Sequence, residues 1–144
     1  MRPYLLDVNV LIALAWPSHV HYQLAQAWFL RKRAAGFRTC PLTETGFVRI
    51  SSHPKFTPEA VTPAEALALL DRITSLAGHA FWPDDLPLKA AVAKDQPILG
   101  HRQVTDAYLL ALARSHGGTL ATLDRGLLAL RGTARGLVEL IQDA

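Results

Sequence analysis

Short apolar runs that alternate with helical stretches constrain the fold of this chain more than any other feature. The strand-like runs cover residues 4–8, 38–40, 80–82, 119–123 and 137–141. Helix-like segments separate the first four runs, and such alternation predicts a mostly parallel sheet with helices on both faces. We therefore expect an α/β fold built around one central sheet.

Capping signals mark where the predicted helices begin and end. Thr62, Pro63 and Glu65 have the spacing of a capping box with proline at the first helical position, which predicts a helix from here to about residue 77. Gly36 and Pro54 are natural stops for two earlier helices. The other predicted helical segments cover residues 9–14, 21–35, 43–52 and 105–116.

Four acidic residues stand where a predicted strand ends or a predicted helix begins. Asp7 and Asp124 end strands, whereas Glu44 and Asp106 lie in the first turns of helices. In an open parallel sheet, ligands bind beyond the carboxyl ends of the strands, where the following helices also begin. All four carboxylates are therefore expected at the same edge of the sheet.

Carboxylates that converge against apolar segments repel one another and favour a bound cation, because they are seldom buried unless paired or metal-bound. Oxygen ligands select hard ions such as Mg²⁺ or Mn²⁺, which support phosphodiester hydrolysis. We expect Asp7 and Asp106 to contact the principal metal directly. Glu44 would complete that site or orient the attacking water, and Asp124 would support a second ion or act through water.

Each acid also has a structural interpretation. Glu44 and Asp106 could be ordinary helix-start residues, because helix N-termini tolerate negative charge. Asp124 could cap the turn into Arg125 and Gly126. Asp7 is harder to explain in this way, since apolar residues flank it on both sides. The four acids taken together favour a metal site more strongly than any one of them does alone.

Polar and basic residues close to the acids are candidates for supporting roles. Asn9 and Thr122 could fix the orientation of the carboxylates, although a helix-start asparagine and an ordinary strand threonine explain them equally well. The net charge of +3 permits a polyanionic partner. The candidates for contacting the phosphates of a nucleic acid are His101, Arg102, Arg125, Arg49 and Lys94.

Composition narrows the class of protein. The 144 residues suffice for one domain with a sizeable core, and half of them are apolar. No apolar stretch approaches the ~18–20 residues that cross a bilayer, so we expect no membrane association. A single cysteine, Cys40, excludes an internal disulfide and a cysteine-rich zinc site. A cytoplasmic protein is expected.

The segments around the four acids resemble those of the PIN-domain nucleases, and within them the VapC-type ribonuclease toxins of bacterial toxin–antitoxin pairs. Four segments in the family's order carry the resemblance: LDVNVL at 6–11, TETGF at 43–47, HRQVTDA at 101–107 and TLD at 122–124. In that family, the positions matching Asp7, Glu44, Asp106 and Asp124 form the acidic metal-binding site. Val8 stands where the family commonly has a small polar residue or alanine.

The resemblance implies a single PIN-like domain over residues 1–144 and a Mg²⁺- or Mn²⁺-dependent endoribonuclease. It implies in-line attack that leaves a 5′-phosphate and a 3′-hydroxyl, on structured RNA such as a tRNA loop. It also implies a homodimer, and a cognate antitoxin whose tail enters the acidic cleft, often with an arginine.

Functions of other classes remain open at this stage. A haloacid-dehalogenase-type phosphatase also has an aspartate after its first strand, but normally has a second one at the position of Asn9. A flavodoxin-like or receiver-type module could share the sheet order, yet it gives no reason for Glu44. An inactive PIN-like module that binds RNA or protein would keep the fold and lose acids, whereas all four are present here.

Overall fold

A parallel sheet forms the centre of the computed structural model, which describes residues 1–56, 60–91, 100–131 and 136–143. Neighbouring strands are all parallel and follow the order β3-β2-β1-β4-β5. The predicted α/β fold is confirmed. The strands are β1 (Tyr4–Leu6), β2 (Phe37–Thr39), β3 (His79–Phe81), β4 (Thr119–Thr122) and β5 (Val138–Leu140).

Helices connect the strands, as the alternation of the sequence predicts. Across the described ranges, no helix is long and apolar enough to cross a membrane. Short 3₁₀ helices cover Arg33–Ala35, His101–Gln103 and Arg125–Arg131. The α-helices of these ranges are α1 (Val8–Ala15), α2 (Tyr22–Lys32), α3 (Pro41–Ser51), α4 (Pro63–Thr74), α5 (Leu88–Ala91) and α6 (Val104–Ser115).

Both faces of the sheet are covered, which confirms the predicted layering. Successive strand residues point to opposite faces, so Leu6 packs with residues of α1 to α4 while Leu5 packs with residues of α5 and α6. On β4, Ala121 packs on the same side as Leu6, and Leu120 on the same side as Leu5. The core therefore consists of two apolar clusters that share one thin sheet.

The ends of several elements differ from their predicted positions. The first strand ends at Leu6 instead of Val8, because Asp7 is the N-cap of α1 and its Oδ1 accepts the Val8 N–H at 2.8 Å. The predicted capping box is confirmed, since the Thr62 hydroxyl accepts the Glu65 N–H and Glu65 accepts the Thr62 N–H. That helix ends at Thr74, three residues before the predicted end.

The order of the strands reverses between β1 and β4. From β1 the chain builds β2 and β3 on one side, then returns to add β4 and β5 on the other. Pairing of β1 with β4 continues beyond Leu6, because the Asp7 N–H donates to the Ala121 carbonyl at 3.0 Å. A crevice at such a switch point is the usual ligand site of open parallel sheets. Asp7 follows β1 and Thr122 ends β4 at this switch point.

Helix α3 approaches α1 through a glycine. A Cβ atom placed on Gly46 would lie 2.8 Å from Cγ2 of Val8. Val8, the residue that departs from the family's usual small side chain, is thus accommodated by the missing side chain of Gly46. This close contact brings the first turn of α3, which carries Glu44, beside the start of α1.

Candidate active site

Asp7 and Thr122 form the buried centre of the acidic site. Asp7 is only 6 % exposed and Thr122 is fully buried. The Thr122 hydroxyl donates to Oδ2 of Asp7 at 2.8 Å, and Oδ1 accepts the Val8 N–H. Both carboxylate oxygens therefore have a donor, and these two hydrogen bonds fix the orientation of the carboxylate between the ends of β1 and β4.

Asn9 and the backbone of Asp124 complete the hydrogen bonds of the Thr122 hydroxyl. Its Oγ1 accepts from Nδ2 of Asn9 at 3.3 Å and from the Asp124 N–H at 3.0 Å. Oδ1 of Asn9 in turn accepts the Leu123 N–H. Since a hydroxyl has one proton and two lone pairs, that of Thr122 is fully used. The two candidate supporting residues thus join Asp7 and Asp124 in one network.

Asp106 is the acid most affected by its surroundings. Burial, together with the negative charges of Asp7 and Asp124, raises the pKa of its carboxyl to about 6. Asp106 lies in the first turn of α6, half-buried, above the buried residues Leu109 and Leu110 of the same helix. The three aspartates are therefore close enough to repel one another electrostatically.

The other two aspartates of this group differ in exposure. Burial raises the pKa of Asp7, whereas its hydrogen bonds from Thr122 and Val8 act in the opposite direction. Asp124 is exposed, and its Oδ1 accepts the Gly126 N–H at 2.9 Å. Asp124 thus caps the turn that follows β4 and also contributes negative charge to the site.

Glu44 has a different environment from the three aspartates. Its Oε2 accepts the Thr39 hydroxyl at 2.7 Å, and the same hydroxyl oxygen lies 2.8 Å from Nε2 of His79. The carboxylate also lines a groove between α3 and α4, beside Asp71 and Thr74. The structure brings Asp7, Asp106 and Asp124 together, and holds Glu44 on Thr39.

The basic candidates lie around this edge in different settings. Arg49 is exposed on α3 and lines a groove that Glu44 also borders. Arg125 is exposed and donates to Oε1 of Gln142 at 3.4 Å, and His101 is exposed in its 3₁₀ turn. Arg102 belongs to the same turn, but its side chain lies outside the described part of the structure, as does the whole of Lys94.

Thr39 and His79 were not predicted as site residues. Thr39 ends β2 as Asp7 follows β1 and Thr122 ends β4, so the rule that polar residues at strand ends converge would have found it. His79 has no comparable signal, because its contact with Thr39 depends on the pairing of β2 with β3 across 40 residues of chain.

The donor chemistry of the three aspartates fits a hard divalent cation. Among the described residues, no three His, Cys, Asp or Glu side chains form a ready-made metal cluster. Mg²⁺, however, keeps several of its waters and takes only one or two carboxylates directly. A cation beside Asp7 and Asp106 would offset the burial and repulsion that raise the pKa of Asp106.

Comparison with known proteins gives consistent matches along the chain. A family model described as the PIN domain matches residues 4–132. Ribonuclease VapC39 of Mycobacterium tuberculosis is 51 % identical over 138 residues, covering 95 % of this chain and 98 % of that protein. Ribonuclease VapC38 of the same species is 49 % identical over 127 residues, covering 88 % of each.

Two solved structures have a similar fold. VapBC2 from Rickettsia felis, in a crystal structure with a DNA fragment from their promoter, has a chain that matches with a TM-score of 0.66 and 11 % identity, over 96 % of this chain and 98 % of that one. FitAcB from Neisseria gonorrhoeae matches with a TM-score of 0.59 and 21 % identity, over 88 % and 92 %. At these identities the likeness concerns the fold alone.

Proposed function

This chain belongs to the PIN-domain family, among its VapC-type ribonucleases, and we propose that it is a metal-dependent endoribonuclease that acts as the toxin of a toxin–antitoxin pair. One observation carries the metal-dependent part of the proposal. Asp7, Asp106 and Asp124 gather at the switch point of the sheet and repel one another there. Family membership also removes the haloacid-dehalogenase-type phosphatase from the alternatives.

The proposed ligands of Mg²⁺ or Mn²⁺ are Asp7 and Asp106, with Asp124 supporting a second ion or acting through water. When bound, the ion supplies polarisation of a phosphoryl oxygen and a lower pKa for a bound water. Thr122 keeps the Asp7 carboxylate in a fixed orientation through its hydroxyl. Asn9 holds Thr122 and the Leu123 N–H together, so the strand end and the helix start remain aligned.

Glu44 completes the proposed set of acids, either as a further ligand or by orienting the attacking water. The basic residues around the edge are proposed to hold phosphates of the RNA, because a guanidinium presents a fork of donors suited to phosphate. These residues are His101, Arg102, Arg125 and Arg49. Their removal should weaken RNA binding and flatten its dependence on salt.

The proposed substrate is a structured RNA such as a tRNA, cut to leave a 5′-phosphate and a 3′-hydroxyl. The relatives most similar in sequence are named ribonucleases, which supports RNA over DNA. Recognition of RNA by sequence generally uses unstacked bases in loops. A tRNA loop would present such bases to the exposed side of Asp124 and Arg125.

A cognate antitoxin and a second copy of the chain are the proposed protein partners. The similarity to ribonucleases named VapC, and to a chain of VapBC2 bound to a DNA fragment from their promoter, supports an antitoxin for this chain. We further propose that residues 1–144 form a single PIN-like domain and that the active form is a homodimer.

The deciding experiment incubates the purified protein, free of any partner, with total bacterial tRNA and Mg²⁺ or Mn²⁺. We expect discrete fragments with 5′-phosphates, lost on chelation and lost in the Asp7→Asn variant, whose thermal unfolding should remain cooperative. Cleavage that persists in Asp7→Asn would refute the assigned site. No cleavage with any divalent metal or RNA would favour the inactive binding module instead.

A further inference from the structure

A buried threonine connects Glu44 to a histidine on the neighbouring strand. Thr39 is fully buried at the end of β2, where an unpaired hydroxyl would be costly. Its Oγ1 lies 2.7 Å from Oε2 of Glu44 and 2.8 Å from Nε2 of His79. The hydroxyl therefore bridges these two side chains.

The directions of these two hydrogen bonds follow from proton counting. A threonine hydroxyl has one proton, and the Glu44 carboxylate has none to give, so Thr39 donates to Glu44. The Thr39 oxygen must then accept from His79, which requires a proton on Nε2 of the imidazole. The chain of donation runs from His79 through Thr39 to Glu44.

The imidazole of His79 is held on more than one side. Its ring packs against Phe37, with ring centres 5.2 Å apart. Because β3 carries the ring and Phe37 of β2 packs against it, the Thr39 hydroxyl has a fixed donor behind it.

The hydrogen-bonded group of His79, Thr39 and Glu44 lies on the other side of the sheet from the Asp7 network. Thr39 follows Phe37 by two residues and so shares its face, which is packed against α1 to α4. Thr122 follows Leu120 by two residues and shares the opposite face, packed against α5 and α6. Glu44 is thus held at the sheet edge from one side, and Asp7 from the other.

We propose that Thr39 and His79 are positioning residues that act through Glu44 and hold its carboxylate apart from the three aspartates. This inference rests on the proposed function, in which Glu44 belongs to the acidic site. It decides between the two roles open to Glu44: because Thr39 holds its carboxylate from the opposite face of the sheet to the Asp7 network, Glu44 orients the attacking water and does not join Asp7 and Asp106 as a direct metal ligand.

Paired variants test the two positioning residues. Thr39→Val keeps the shape of the side chain and removes the hydroxyl, whereas Thr39→Ser keeps the hydroxyl. We expect Thr39→Val to lower kcat for RNA cleavage about 10- to 100-fold, and Thr39→Ser to restore most of it. His79→Gln, which retains a donor near the position of Nε2, should be more active than His79→Leu.

Direct binding of Mn²⁺, measured by electron paramagnetic resonance without RNA, supplies a readout independent of cleavage. In Thr39→Val and in Glu44→Gln, the Mn²⁺ dissociation constant should stay within about twofold of the wild-type value, because Asp7 and Asp106 remain. Mn²⁺ binding weakened about tenfold in both variants would make Glu44 a direct ligand and overturn the proposal.

A double variant shows whether Thr39 acts through Glu44. If it does, Thr39→Val should have little further effect on kcat in the Glu44→Gln background, whereas independent effects would multiply. The matched control is Thr119→Val, which removes a buried hydroxyl bonded to the Gly136 carbonyl at the opposite ends of the strands. That variant should lose stability and keep its kcat.

Failure of this inference can be distinguished from failure of the proposed function. If the wild-type protein cleaves RNA and Asp7→Asn does not, but Thr39→Val is fully active, only the positioning role is lost. If no RNA is cleaved, nitrogen-15 spectra of the His79 ring still test the hydrogen bonds from His79 through Thr39 to Glu44. A proton on Nε2 whose resonance moves in Thr39→Val and Glu44→Gln supports this arrangement, and a bare Nε2 overturns it.

Discussion

The hydroxyl of Thr122 joins two segments of the chain that are distant in sequence, the end of β4 and the start of α1. It donates to Asp7 at the start of α1, and it accepts from Asn9 in the same helix and from the backbone after β4. A valine of nearly the same shape could fill this space without satisfying any of these groups. The cost of such a change would therefore come from unpaired polar atoms and not from lost packing.

Thr122→Val should destabilise the protein by about 1–3 kcal/mol, because it leaves buried donors and a carboxylate oxygen unpaired. RNA cleavage should fall about 10- to 100-fold, since Asp7 loses the group that orients it. Urea unfolding and cleavage rates measure the two effects. Thr122→Ser is the control and should recover most of both. A valine variant with wild-type stability and activity would show that the network is dispensable.

The raised pKa of Asp106 predicts how the stability of the metal-free protein depends on pH. The carboxyl has a pKa of 3.8 when unperturbed and about 6 in the folded protein. The folded state therefore binds the proton more tightly, and its stability falls as the pH rises from about 4 to above 6. At neutral pH, the ionised Asp106 carboxylate destabilises the fold.

Asp106→Asn should consequently stabilise the metal-free protein at about pH 7.5 by about 1 kcal/mol, a value reduced for solvent screening of this half-buried group. The difference from wild type should shrink as the pH falls and vanish near pH 3, where the Asp106 carboxyl is neutral in both the folded and the unfolded protein. Urea unfolding in the presence of a chelator at both pH values measures it. If Asp106→Asn stabilises the protein equally at the two pH values, ionisation of Asp106 is not the cause.

At the scale of elements, the contact of α1 with α3 depends on the pair Val8 and Gly46. Alanine usually stabilises a helix by about 1 kcal/mol relative to glycine. Here the added Cβ would lie 2.8 Å from Val8, so the helices would have to separate. The larger residue at position 8 therefore requires a glycine at position 46 of α3.

Gly46→Ala is expected to destabilise the protein by about 1–3 kcal/mol, as overpacking usually does. Val8→Ala removes the obstructing methyl groups, so Gly46→Ala should be neutral or stabilising in that background. A double-mutant cycle by urea unfolding measures this coupling. Equal effects of Gly46→Ala in the two backgrounds would mean that the contact with Val8 does not limit the approach of the helices.

Elements with local signals were predictable from the sequence, and contacts between distant strands were not. The capping box at Thr62 depends on residues three positions apart, and it was found at the predicted place. Asp7 was correctly placed at the edge of the sheet, but its capping of α1 shortened the predicted strand. The contact of Thr39 with His79 requires the register of β2 on β3, which no local pattern specifies.

For the whole molecule, the two apolar clusters depend on strands of only three or four residues. Leu5 and Leu6 are adjacent in sequence and fully buried in opposite clusters. Neither helix layer can lose its packing without exposing one face of the same short strands. The layers should therefore unfold together, as a single cooperative unit.

Tryptophan fluorescence can test this coupling, because Trp28 lies in the cluster beside α1 to α4 and Trp82 in the other. In two variants, one of these residues is kept as the sole tryptophan, and Trp16 and the other are replaced by phenylalanine. Each variant should have the same urea midpoint by fluorescence as by circular dichroism. Coincident transitions by both probes indicate one unit. Separate transitions would show that the two layers unfold independently.

Asp7 is both the cap of a helix and the centre of the acidic site, so the backbone of α1 is connected to whatever occupies that site. The Val8 N–H donates to the same carboxylate that a cation would approach. A positive charge there draws electron density away from this acceptor and changes the strength of the cap. The exchange rate of the Val8 amide proton with solvent should thus report occupancy of the site in a protein that has no substrate bound.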